Sequence, residues 1–295
     1  RELQSKEREG DDVVTTLDPE AQRLAIELLA GNEGSIVALE PATGRVRVAA
    51  STPGYDPNTV GDPAVYAELS TDREGTPLFN RAVQTNYQPG STFKVVTAAA
   101  ALDTGKVTPD SIVDGSSPQD ISGVPLANSG NVSYGPISFT TALTNSVNTV
   151  FAKLGEEVGS RTLVEYMERF GFYKDPQLDY PEDEMIASGV RNSANRLVTS
   201  GFDVGRVAIG QGGEEGQIQV TPLQMAEVAA AVANGGKLMR PRFTERIVGQ
   251  DGRVEEEVDP AQQSQVMKPE TAAQLTEMMA DVVNEGTGTA AALSD

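Results

Sequence analysis

The chain has 295 residues, enough for a sizeable core and, at about 150 residues each, for roughly two domains. Its 23 Lys and Arg against 43 Asp and Glu leave a net charge of −20, which repels phosphate backbones and argues against nucleic acid as a partner. With no histidine and no cysteine, Ser-His-Asp triads, imidazole and thiol catalysis, disulfides and His- or Cys-ligated metals are all excluded.

The charged opening RELQSKEREGDD, residues 1–12, reads as a linker. Asp18 as N-cap, Pro19 at the first helical position, and Ala21, Leu24, Ala25 and Leu28 at i, i+3, i+4, i+7 predict a helix that stops at Gly31. Residues 35–52 read as two strands joined by the turn Glu40-Pro41-Ala42-Thr43-Gly44. The alternation Arg45-Val46-Arg47-Val48 predicts one wet and one dry face for the second strand. Residues 53–89, rich in Pro, Gly, Asn and Asp, read as surface loop with short helical turns. Alanine-rich residues 91–102, entered through Pro89-Gly90, predict a buried helix. They also hold the longest apolar run, residues 95–102, far short of the ~20 needed to cross a bilayer.

Residues 108–136 look like loop, and 139–154 like a helix with Leu143, Val147, Val150 and Leu154 on one side. A further helix is expected from Ser160, as its cap, to Gly171, followed by irregular acidic text over 175–204. Thr221-Pro222-Leu223-Gln224 is a capping-box start for a helix ending at Asn234, and Leu275, Met278, Met279 and Val282 mark a last helix that stops near Gly286. There is no internal repeat. Many helices around a hairpin indicate a mixed α/β or α+β domain.

Without His or Cys the available nucleophiles are Ser, Thr, Lys and carboxylates. A serine needs a base, and a lysine one helical turn away serves if burial holds it neutral. Only Ser91 has Lys at i+3, in Ser91-Thr92-Phe93-Lys94, and the pair opens the predicted buried helix, where N–H groups and the helix dipole favour negative charge. A chain this long holds about one Ser-x-x-Lys by chance, so a capping serine beside a snorkelling lysine also accounts for the pattern. Ser-x-Asn occurs at Ser129-Gly130-Asn131, Ser193-Ala194-Asn195 and Ser146-Val147-Asn148. The first two lie in polar loop text. The third interrupts an apolar helical stretch, where Ser and Asn either cap a helix break or face a pocket.

QPGSTFKVVTAAAAL, residues 88–102, resembles the active-site motif of penicillin-binding proteins, in which Ser-x-x-Lys, Ser-x-Asn and Lys-Thr-Gly recur together. VVTTLDPEAQRLAIELL, IVALEPATGRVRVAASTPGYDPN, LFNRAVQTNYQPGSTFK and IGQGGEEGQIQVTPLQMAEVAAAVANGGKLMRP resemble further family phrases in the same order, so the likeness covers about residue 12 to the end. STPGYDPN is similar to the monofunctional class B enzymes, nearest their actinobacterial penicillin-binding protein A type.

The resemblance implies a penicillin-binding protein/serine β-lactamase-like transpeptidase fold over residues 13–295. Its antiparallel sheet, with the hairpin 35–52, is flanked by helices, beside an all-helical subdomain near 91–236. It implies a serine D,D-transpeptidase that cross-links peptidoglycan stem peptides through an acyl-enzyme on Ser91 and is blocked by β-lactams. In that reading Lys94 activates Ser91, Ser146 relays the proton to the leaving amine, Asn148 holds the substrate amide, and Ser91 N–H is half of the oxyanion hole. Ser91, Ser146 and Asn148 would also bind substrate. No metal or cofactor is implied. Partners would be cell-wall synthesis or divisome proteins at the extracytoplasmic face of the membrane, reached only through an N-terminal anchor.

One family element is missing: the sequence contains no Lys-Thr-Gly, although Glu285-Gly286-Thr287-Gly288-Thr289 resembles the segment shortly before it. The third motif and its sheet strands are therefore expected beyond Asp295. Two alternatives share the same core motif. A β-lactam-hydrolysing or β-lactam-sensing relative differs in the fate of the acyl-enzyme, and a cell-wall scaffold would keep the motif without catalysis.

Overall fold

The computed structural model describes residues 10–293. Its largest apolar cluster gathers on the helix Lys94–Asp103, where Ala98, Ala99, Ala100 and Ala101 are fully buried. These small side chains let the helices Asn148–Val158, Ser160–Arg169 and Pro269–Asn284 pack closely around it. The helix Asn148–Val158 in turn closely approaches the short helix Val204–Ala208 at Gly155, where a Cβ would lie 2.4 Å from that of Ala208.

The hairpin forms as expected. Gly34–Leu39 pairs antiparallel with Val46–Thr52, Ile36 opposite Ala50. Val48 and Ala50 pack with Ala25 of the helix Pro19–Leu29, while Val37, Leu39 and Ala49 join a second cluster with Leu223 of the helix Pro222–Ala233. Both faces are thus covered, where the sequence predicts one wet face. Arg45 and Arg47 are partly buried and pair with Glu245 and Asp18. The helix also sits rotated from its predicted stripe: Ala21 and Ala25 face the hairpin, whereas Leu24 and Leu28 are exposed. Gln22 sets this rotation. Its side chain donates to Ala49 O (3.2 Å) and accepts from Ala49 N (2.9 Å), closing one edge of the hairpin as a strand would. The other edge, Gly34–Leu39, has no strand partner among the described residues.

Caps decide most helix starts. Asp18 and Thr221 accept from the first-turn N–H groups of their helices, with Pro in the first turn of each. The capping box of the second is only half closed, because Gln224 Nε2 donates to Phe170 O (2.8 Å) instead of letting its side chain reach back to Thr221. Ser160 lies inside its helix, and Gly159 takes the cap position. Of the expected linker, residues 1–9 lie outside the described residues, and Asp12 already belongs to a strand, Asp12–Thr15, paired with Thr244–Val248. Residues 91–236 have a helical interior but are not helical throughout. Ile112–Asp114 pairs with Pro136–Ser138, Gln119–Ile121 with Val124–Leu126, and Gly189–Arg191 with Gly216–Gln219.

Between the hairpin and the turn Gly90–Phe93, Arg81 opens the short helix Arg81–Gln84 and is 1% exposed; it pairs with Glu33 (3.0 Å) and donates to Thr76 Oγ1 (2.8 Å) and Gly75 O (3.2 Å). One guanidinium therefore holds the expected surface loop, which includes the helix Pro63–Thr71, against the hairpin. Further on, Tyr87 and Val220 exchange backbone hydrogen bonds (2.8 and 2.9 Å), and Gly90 N–H donates to Gly210 O (3.0 Å). Gly210, at φ +76°, is so close that a Cβ there would lie 1.8 Å from Gly90 O. Gly210→Ala should therefore cost about 2–4 kcal/mol, from a left-handed side chain and a backbone clash together. Thermal denaturation should show a loss of several degrees, and a parent-like Tm would refute this role for the glycine.

Candidate active site

Ser91 lies in the short turn Gly90–Phe93, directly before the helix Lys94–Asp103. Its side chain is exposed, whereas Lys94, one turn on, is 1% exposed. Thr97, a further turn on, donates to Ala208 O (2.8 Å), so this helix is pinned on the side of the Gly210 loop.

The second contribution comes from residues 139–158, where the sequence reads as one helix. The structure breaks it. Phe139–Thr144 stops, and Asn148–Val158 starts after a turn in which Ser146 takes φ +54°. A left-handed serine is strained by about 1–2 kcal/mol, but the turn aims two oxygens of one residue at a single point. Lys94 Nζ donates to Ser146 O (2.7 Å), Ser146 Oγ (2.9 Å) and Asn148 Oδ1 (2.7 Å), and lies 3.2 Å from Ser91 Oγ. Of the two readings of this Ser-x-Asn, the pocket-facing one holds: the helix does break here, but neither Ser146 nor Asn148 caps it, and both turn their side chains to Lys94.

Four oxygens crowd a nitrogen that carries at most three hydrogens. The Ser146 carbonyl and the Asn148 amide oxygen can only accept, so they take two N–H groups. The remaining position, a third N–H or the lone pair of a neutral amine, serves two hydroxyls. Burial disfavours the charged form and pushes the Lys94 amine down from its ordinary 10.5 to about 7. Phe151, its ring centroid 5.6 Å from Nζ, closes the apolar side.

Ser91, Lys94 and Ser146 open onto a pocket of about 460 Å³, walled largely by Val95, Leu143, Met225, Val228, Met279 and Val282. Thr287 and Gly288 also line it, and Thr287 N–H donates to Thr144 O (3.2 Å), so the Gly-Thr-Gly segment is tied to the helix that ends just before Ser146. All four sequence-predicted residues, Ser91, Lys94, Ser146 and Asn148, therefore meet. The other two Ser-x-Asn triplets lie in exposed turns and line no part of this pocket. Sequence reasoning missed Ala127 and Asn128, which touch the Asn148 turn from text that reads as plain loop, and no periodicity or motif marks them.

Residues 34–295 match the penicillin binding protein transpeptidase domain. The peptidoglycan D,D-transpeptidase PbpA of Mycolicibacterium smegmatis is 34% identical over 284 residues, 92% of this chain and 56% of that protein. MrdA of Escherichia coli, another peptidoglycan D,D-transpeptidase, is 29% identical over 79% of this chain and 37% of its own length. The chain thus spans about half the length, or less, of these relatives. Among solved structures, the D,D-transpeptidase domain of a peptidoglycan glycosyltransferase from Eggerthella lenta superposes with a TM-score of 0.84 at 32% identity, covering 96% of this chain and 69% of that one. Penicillin-binding protein A of Mycobacterium tuberculosis, as its penicillin G acyl-enzyme, gives 0.81 at 30% identity, covering 95% and 65%. With the family's domain matched over residues 34–295 and its fold shared with these solved structures, the chain belongs to the penicillin-binding protein transpeptidase family.

Proposed function

We propose that the intact protein is a serine D,D-transpeptidase that cross-links peptidoglycan stem peptides ending in D-Ala-D-Ala and is acylated by β-lactams at Ser91. The observation that carries this reading is the buried Lys94 amine, poised near 7 and within 3.2 Å of the Ser91 hydroxyl. Ser91 Oγ attacks the penultimate carbonyl as its proton passes to Lys94 Nζ. The bond to the terminal D-Ala nitrogen then breaks, with Ser146 Oγ relaying the proton to that nitrogen. An amine from a neighbouring stem attacks the ester, forms the new amide and returns a proton to Ser91. Asn148 has one amide N–H beyond its bond to Ala127 O with which to hold the substrate.

Ser91 N–H supplies one oxyanion donor. The second comes, in this reading, from a strand carrying the third motif, in the sheet that the free edge of Gly34–Leu39 leaves open. The protein works at the extracytoplasmic face of the membrane from an N-terminal anchor, in company with other cell-wall synthesis or division proteins.

Incubating the full-length protein with a penicillin should give one covalent adduct, mapped by mass spectrometry to Ser91. An adduct that survives Ser91→Ala sinks the assignment, and rapid hydrolysis of a chromogenic β-lactam would favour the β-lactamase reading.

Because a proton acceptor requires the neutral amine, acylation should rise with pH through about 7 and level off above it. Lys94→Arg keeps a cation that cannot lose its proton near neutrality and should abolish acylation. Parent-like rates in this variant, or a pH profile flat from 5 to 9, would remove Lys94 from the role of base.

Ser146→Ala keeps the backbone carbonyl that holds Lys94 but deletes the relay. Cross-linking of peptide substrates should fall more than β-lactam acylation, since only the peptide needs a proton delivered to a departing amine. Equal losses in the two assays would contradict the relay.

A further inference from the structure

We propose that Asn128 is a positioning residue for the Lys94 site: it fixes the Asn148 amide through the carbonyl of Ala127 and the first turn of the helix Asn148–Val158. The geometry is independent of any activity, and only its consequence for catalysis rests on the transpeptidase reading.

A primary amide presents an acceptor at one end and two donors at the other, and its neighbours decide which end points where. Asn148 lies between Lys94 Nζ, 2.7 Å from Oδ1, and Ala127 O, to which Nδ2 donates at 3.3 Å. Because a carbonyl can only accept, Ala127 requires the NH2 end and leaves the oxygen for Lys94. A backbone atom on a separate loop thus determines what faces the amine.

That backbone atom is held by the next residue. Asn128 is 5% exposed and hydrogen-bonds through its whole side chain. Its Nδ2 donates to Gly115 O (3.1 Å) and Val132 O (3.0 Å), which ties the two sides of its loop together. Its backbone N–H donates to Ser117 Oγ (3.0 Å). Its Oδ1 accepts from Thr149 N (3.0 Å), one of the unpaired N–H groups at the start of the Asn148–Val158 helix. Val147 occupies the cap position there and has no polar side chain to offer. Asn128 supplies the missing cap from 21 residues upstream and, by the same contact, joins the loop carrying Ala127 to the turn carrying Asn148.

Without Asn128 the Ala127 carbonyl is no longer held against Nδ2, and the Asn148 amide is free to draw its Oδ1 away from Lys94. That removes an acceptor from the ammonium and favours the neutral amine. Among the described residues, Lys94 Nζ is surrounded by two hydroxyls, a carbonyl and this amide, with burial as the cause of its low proton affinity, so a change in the amide is read there directly.

The test is an NMR titration of the Lys94 ε-carbon in full-length protein labelled with 13C-lysine, assigned by Lys94→Arg, for the parent and Asn128→Ala. The midpoint should fall by about half a pH unit or more in the variant, and penicillin acylation at its pH plateau should slow roughly tenfold or more. A midpoint that stays or rises, or an unchanged plateau rate, overturns the proposal, because a merely structural asparagine would lower Tm and leave both readouts in place. If Asn128→Ala does not fold, Asn128→Ser carries the same expectation: one short hydroxyl cannot serve Thr149 N and both carbonyls at once. A shifted titration in a protein whose parent form is never acylated would support the positioning role and overturn the transpeptidase reading instead.

Discussion

Lys94 carries its amine into the interior on the first turn of a helix whose following residues are nearly all apolar, and most of the surrounding structure serves to keep that amine both dry and surrounded by acceptors. The energetic scale is considerable. Lowering the amine from 10.5 to about 7 corresponds to roughly 5 kcal/mol at 1.36 kcal/mol per pH unit. By linkage, this cost is fully present below about pH 7, where the folded protein must charge the buried group. It fades as pH rises toward 10.5, where the unfolded chain also loses its proton. The hydrogen bonds that Lys94 donates to Ser146 and Asn148 keep this cost below that of an unpartnered buried ammonium, and the core must supply what remains.

That core is arranged so that two distant segments converge on one nitrogen. The turn Gly90–Phe93 is held by a backbone-to-backbone contact with Gly210, and the turn carrying Ser146 and Asn148 by the break between two helices and by a loop anchored at Asn128. Each contact is made by main-chain atoms or by a short, fully bonded side chain, which have few alternative conformations. Where long side chains take part they are similarly constrained, as with Arg81 clamped on its loop. Precision in the cluster therefore comes from placing backbone, with side chains following.

The parts of this arrangement legible in the sequence are those that a local rule encodes. Asp18 and Thr221 start helices because a cap and a proline act within four residues, and Ser91 with Lys94 is readable because i and i+3 share a helix face. What the sequence hides depends on partners far along the chain. The rotation of the first helix is set by Gln22 meeting Ala49, so the apolar stripe alone points to Leu24 and Leu28, which are in fact exposed. The short strands near Ile112, Val124 and Thr244 are too brief for alternation to show. Asn128 lies in polar loop text that gives no hint of its 21-residue reach.

The left-handed backbone at Ser146 separates what the fold prefers from what the chemistry needs. Glycine would hold φ +54° without strain, and an apolar residue at position 94 would avoid burying an amine. Redesign guided by folding free energy alone would thus drift toward removing one member of the cluster after another, each step looking like an improvement. The most stable sequence for this backbone is an inert one, and the distance between it and the present chain measures the strain that the site retains.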